Sequence, residues 1–297
     1  ADTDIHSGFS ANGFGLGTSS SDVANKTGDS YIGWAFQAGG EPSGNFPSSI
    51  PASGLANGEI VSGSAGYSDI QNVTNVKQSI NLTKGFSITM FNGSTASTGQ
   101  VPHNLGSADC IWIKNLDQGE SWLCWYNTFT ESEPDYLRLQ DGGAKVNGTS
   151  THIAENPASN NYYRFGSDSK AGGHSDRFIM YAWKNVAGVS KISSYSGNSQ
   201  TGASGRTVDC DFFPRFVLIK CHTDAANWIV WDSFRSGASA SGDSMLPRLR
   251  ANTTEDDESG NNEIQLYESG STKGFQLRTD EGGLNNSSRG YIYMAFA

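Results

Sequence analysis

One phrase, written three times, constrains this chain more than any other feature. "YIGWAFQ" at 31–37 returns as "FIMYAWK" at 178–184 and as "YIYMAFA" at 291–297. A longer unit aligns ahead of the second and third copies. "GFSITMFNGS" (85–94) matches "GVSKISSYSGN" (188–198) with a one-residue slip, "IWIKN" (111–115) matches "VLIKC" (217–221), and "WLCWYNTF" (122–129) matches "WIVWDSF" (228–234). Further on, "DYLRLQDG" (135–142) aligns with "DSMLPRLR" (243–250), and "YYRFGSD" (162–168) with "KGFQLRTD" (273–280). The unit is about 100–110 residues long, well beyond the ~20–50 residues of a solenoid repeat. It reads as a domain duplicated in tandem, each copy with its own core.

Local patterning gives the fold class. Gly (36) far outnumbers Pro (8), only 17% of residues are charged, and Ser, Thr and Asn separate short apolar runs. Many short strands joined by polar turns, with almost no helix, are expected. "CIWIKN" and "FVLIK" are continuous apolar runs, as strands covered on both faces are. The five-residue connectors "LDQGE" and "HTDAA" are short enough for hairpins. The prediction is an all-β chain of tandem antiparallel, jelly-roll-like β-sandwich domains.

The stretch 12–40 aligns with 273–297, so residues 1–40 read as the C-terminal part of an incomplete first unit. Residues 41–84 read as a Gly/Ser/Pro-rich connector with one or two strands, 85–187 as the first complete sandwich and 188–297 as the second. Residues 1–40 are expected to pack as a strand pair at an interface or against sequence outside this chain.

Charge and composition exclude several partners. A formal charge of −10 lacks the basic surface that nucleic acid requires and is repelled by anionic membrane. No apolar run reaches the roughly 18 residues of a membrane span. Cys210 and Cys221 flank one strand whose ends would lie on the order of 35 Å apart, too far for a disulfide. Cys110 and Cys124 face each other across a predicted hairpin, which leaves either a disulfide or two buried thiols; the matching apolar Phe216 and Val230 favour thiols.

"GFSITMFNGS", "VPHNLGSADCIWIKN", "FFPRFVLIK", "KGFQLRTD" and "GYIYMAFA" together resemble a tandem domain of tail-fibre and other virion structural proteins of aquatic bacteriophages. The resemblance spans nearly the whole chain except the connector; it departs at Ala108–Asp109, where the turn proline is missing, although Pro214 keeps it in the second unit. It implies a non-enzymatic virion protein, outside the cell, most simply a tail fibre or appendage that presents loops to a host surface. Its partners would be its own subunits, as a homo-oligomer such as a trimer, other virion proteins and a host-surface glycan. A secreted tandem carbohydrate-binding module and a capsid decoration protein are the alternatives.

The search for chemistry yields little. "GDSML" (242–246) echoes a serine-esterase motif, but every histidine precedes Ser244, whereas that mechanism takes its base from late in the chain. A glycosidase would need a carboxylate pair that nothing in the pattern singles out. The histidines show no metal-ligand spacing, so no catalytic residue, cofactor or metal is assigned. The acidic run Glu255, Asp256, Asp257 and Glu258 is a weak calcium candidate, since it lacks alternating oxygen ligands and a turn glycine. For glycan, the candidates are the aromatic rings Trp125 and Trp231 and the loop-tip residues Tyr126, Asp135 and Tyr136, because rings stack on sugar faces and loops carry contacts.

Overall fold

The computed structural model describes residues 6–10, 13–17, 26–39, 44–45, 60–62, 70–259 and 262–297. The chain is all-β; among the described residues helix is limited to one turn, α1 (Ser233–Ser236), and two short 3-10 turns. Two compact units divide it, Ala1–Phe36 and Gln37–Ala297.

In the first unit, β1 (His6–Ser10) and β2 (Gly13–Leu16) pair as an antiparallel hairpin. Residues 31–37, the first copy of the recurring phrase, form no strand.

The second unit opens with β3 (Gly44–Asn45), β4 (Ile60–Ser62) and β5 (Thr74–Asn81). Then come β6 (Phe86–Asn92), β7 (Gly99–Pro102), β8 (Cys110–Asn115), β9 (Leu123–Tyr126), β10 (Ile153–Glu155), β11 (Tyr162–Phe165) and β12 (Arg177–Trp183). The series repeats with β13 (Ser190–Ser196), β14 (Thr207–Asp209), β15 (Phe216–Cys221), β16 (Ile229–Asp232), β17 (Leu249–Arg250), β18 (Ile264–Ser269), β19 (Thr272–Leu277) and β20 (Gly290–Phe296). One sheet has the order β3-β4-β5-β6-β12-β8-β9 and faces β10-β11-β7; another has the order β13-β20-β15-β16-β17 and faces β14-β19-β18. Among the described residues pairing is antiparallel except between β3 and β4. The strand orders β6-β12-β8-β9 and β13-β20-β15-β16 match, and the later copies of the recurring phrase are central strands in both.

Backbone register refines the sequence alignment. Leu137 bridges Cys124, and Leu249 pairs with Val230, so "Leu-Arg" at 137–138 corresponds to 249–250. The aligned pair Asp135 and Asp243 is therefore out of step, because the second half inserts α1 and a turn before its Leu-Arg. Strand β5, in the segment read as connector, extends the first sheet beyond β6.

The two halves do not keep separate cores. Val217, Ile219, Cys221, Tyr291 and Tyr293 point into a cluster made only of second-half residues. Leu218, Val230, Ile292 and Met294, on the opposite faces of the same strands, join a cluster built mostly from the first half. That double coverage explains why β15 is apolar without alternation: its sheet packs against its own partner on one side and the first sandwich on the other. Hydrogen bonds cross the same boundary, from Trp228 Nε1 to Arg138 O (3.1 Å), Lys145 N to His222 O (2.9 Å) and Ala226 N to Gly142 O (2.8 Å).

Cys110 lies opposite Tyr126, and Cys124 opposite Trp112, so the hairpin register does not face the two sulfurs. All four cysteines are buried free thiols. Burial pushes the thiols of Cys110 and Cys124 well above the ordinary range, so both serve as small hydrophobes.

Candidate functional site

The glycan candidates chosen from sequence are core residues. Trp125, Trp231 and Tyr126 are at most 1% exposed, and Tyr136 and Asp135 are also buried. Trp125 and Trp231 sit on strands covered on both faces, which leaves no ring face for a sugar. Tyr126 receives Trp112 Nε1 at 3.1 Å and donates to Met294 Sδ at 3.5 Å, which ties it to the boundary between halves. Asp135 accepts from Gly148 N (2.9 Å) and pairs with Lys145, fastening a loop.

The acidic run is answered by arginines. Glu258 meets Arg248 Nε at 2.5 Å and Arg250 Nη2 at 2.9 Å, Glu255 pairs with Arg250, and Asp257 lies 3.6 Å from Arg235. Paired carboxylates of this kind do not converge on a cation, and no group of three or more metal-ligating side chains forms among the described residues. Ser244 Oγ accepts from Leu246 N at 3.4 Å. Elsewhere Thr149 Oγ1, His152 Nδ1 (2.9 Å) and Asp168 form a hydroxyl–imidazole–carboxylate chain, with His152 Nε2 3.4 Å from the carboxylate. It closes a turn, since His152 N also donates to Thr149 O, and Lys170 holds both Asp168 oxygens at 2.7 Å.

A pocket of about 590 Å3 in the second half is the candidate site. It gathers the end of β13 (Ser194, Tyr195, Ser196), Arg206 just before β14, His222 and Thr223 just after β15, and the turn 287–290 that enters β20. Its size falls within the roughly 300–1,000 Å3 of small-molecule sites. Tyr195 forms the inner wall, its hydroxyl donating to Leu284 O at 2.7 Å. Arg289 is fixed by Gly282 O (2.9 Å) and Asp224 (2.5 Å). Gly290 permits the close approach of His222: a Cβ there would lie 2.6 Å from Nε2.

Electrostatics set this cavity apart from a chain of charge −10. Two guanidinium groups and an imidazole line it. Desolvation, reinforced by Lys145 and Lys220, pushes the His222 pKa down to about 4, so the ring is neutral at neutral pH. Its Nδ1 is buried with no hydrogen-bond partner. Arg206 Nε is likewise buried and unpartnered, and no described carboxylate lies within ion-pair distance of its side chain.

At the corresponding place the first half carries other residues. Strand register places Phe91 where the second half has Tyr195, and Gly99 where it has Arg206. It likewise places Leu116 at the His222 position and Asp176 at the Arg289 position. The Phe165 ring fills the space over Gly99, lying 2.2 Å from where a Cβ would stand, and stacks on Phe91 at 5.9 Å. The counterpart of Phe165 is Leu277, a smaller side chain. Sequence reasoning missed this site because its residues are scattered from 194 to 290 with no local motif. The signal lay in the repeat itself, where Arg, His and Arg replace Gly, Leu and Asp.

Among known proteins, a family model described as Domain of unknown function (DUF7483) matches residues 59–297. No curated protein and no solved structure matches the chain.

Proposed function

We propose that this chain, which belongs to the DUF7483 family, is a non-enzymatic attachment module of a bacteriophage virion, as a tail fibre or appendage. The observation that carries the reading is the second-half cavity, a cleft with polar groups fixed by a rigid β scaffold. The resemblance of the strand motifs to virion structural domains supplies the setting, with the protein's own subunits and other virion proteins as partners and a surface glycan of the host as ligand. The same cavity favours a secreted tandem carbohydrate-binding module as the second reading.

Native mass spectrometry of the assembly separates the two. A closed trimer or larger multiple supports the virion reading, whereas a monomer supports the secreted module. Release of product from chromogenic ester or glycoside substrates by the purified chain would overturn both.

A further inference from the structure

We infer that the cavity beside β13 takes a carboxylate-bearing sugar residue, with Arg206 as the group that recognises the charge. The inference rests on the reading of this cavity as a binding site and adds the chemical class of its ligand. Three observations on different residues converge on it.

The first is the unpaired cation. A half-buried guanidinium normally finds a carboxylate, because removing charge from water without a partner is costly. Elsewhere in the second half Arg248 meets Glu258, Glu263 and Glu281, Arg250 meets Glu255 and Glu258, Arg235 meets Asp232 and Arg289 meets Asp224, while Arg278 is held by Gln265 Oε1 at 2.9 Å. Arg206 has no ion pair with a described residue, and its Nε is buried without a partner. The guanidinium fork matches a planar carboxylate, which can accept two parallel hydrogen bonds from it.

The second is the rest of the lining. Ser194, Ser196, Ser287 and Ser288 line the same space, and neutral His222 has a buried ring nitrogen without a partner. Hydroxyls and a neutral imidazole both donate and accept, as recognition of a polyol requires. A bare inorganic anion would use the cations and leave these groups idle.

The third is the comparison within the chain. The first half builds the same sheets but closes the corresponding space with Phe165 and carries Gly99 and Asp176 where the second half carries Arg206 and Arg289. Replacing Phe165 by the smaller Leu277 and reversing the charge are separate changes, and both favour an anionic guest.

The test is isothermal titration of the full chain with glucuronate, galacturonate and N-acetylneuraminate. Glucose, galactose and N-acetylglucosamine serve as neutral counterparts, and sodium sulfate as the free anion. Carboxylated sugars are expected to bind at least tenfold more tightly than neutral ones and to weaken as salt is raised. Arg206→Gln should lose at least tenfold in affinity for them while leaving the thermal midpoint unchanged or higher; Arg206→Lys should fall between. If Arg206→Gln fails to fold, Ser287→Trp, which fills the mouth of the cavity from an exposed position, should abolish binding instead. Neutral sugars binding as well as charged ones, with Arg206→Gln like the parent, would overturn the charge assignment and leave the binding-site reading standing. Sulfate binding as tightly as the sugars would also overturn it. Binding of no sugar in any arm would overturn both.

Discussion

At the scale of single residues, buried polar groups show what the fold tolerates. His103 is fully buried, with its Nε2 on Asn160 O at 3.0 Å and its Nδ1 accepting from Leu105 N at 3.2 Å. That pairing requires a neutral ring, and desolvation accordingly pushes the His103 pKa down to about 4. An unfolded histidine titrates near 6.5, so the unfolded state takes up its proton first. The stabilisation is therefore complete above about pH 6.5 and is lost as pH falls toward 4. Urea midpoints measured across that range should decline, and His103→Gln should flatten part of the slope. Trp228, fully buried at the boundary between halves and edge-on to Trp112 at 6.4 Å, carries a different load. Trp228→Ala should cost about 3–5 kcal/mol in urea denaturation, as large aromatic truncations do. Sequence alone did not decide between sugar stacking and core packing for Trp125 and Trp231; both rings are core because both faces of their strands are covered.

At the scale of elements, the strands were the legible part. The runs at 110–115 and 216–221 are strands, each pairs with the next strand as a hairpin, and the later copies of the recurring phrase lie at the centres of their sheets. Strand cores repeat in sequence because the same pairing and packing select the same apolar residues. Loops answer to no such selection, which is why α1 and its turn misled the alignment around Asp243. The first copy at 31–37 shows the converse limit: a phrase identical in pattern to a central strand is not one there, since a strand is defined by its neighbours as much as by its residues. The Gly99 position tests the divergence between halves. Gly99→Ala would drive a Cβ into the Phe165 ring and should destabilise by about 1–3 kcal/mol, seen as a lower thermal midpoint. Gly290→Ala should displace His222 and weaken ligand binding, with binding as its readout.

At the scale of the whole molecule, the tandem sequence suggested independent sandwiches, whereas the second sheet is an inner layer of residues 37–297, packed by both halves. One calorimetric transition is expected for this unit, and two resolved transitions would contradict the shared core. Composition spoke to the acidic surface but not to the cationic cavity within it, because net charge carries no information about where charges gather. The central claim is that this cavity binds a charged sugar and that the rest of the fold holds it open. The most direct measurement is a glucuronate titration followed on the backbone amide resonances of the isotopically labelled chain. Shifts centred on 194–196, 206, 222–223 and 287–290, with the first-half counterparts at 91, 99 and 116 unmoved, are what the account predicts. Shifts centred elsewhere, or none at all, would contradict it.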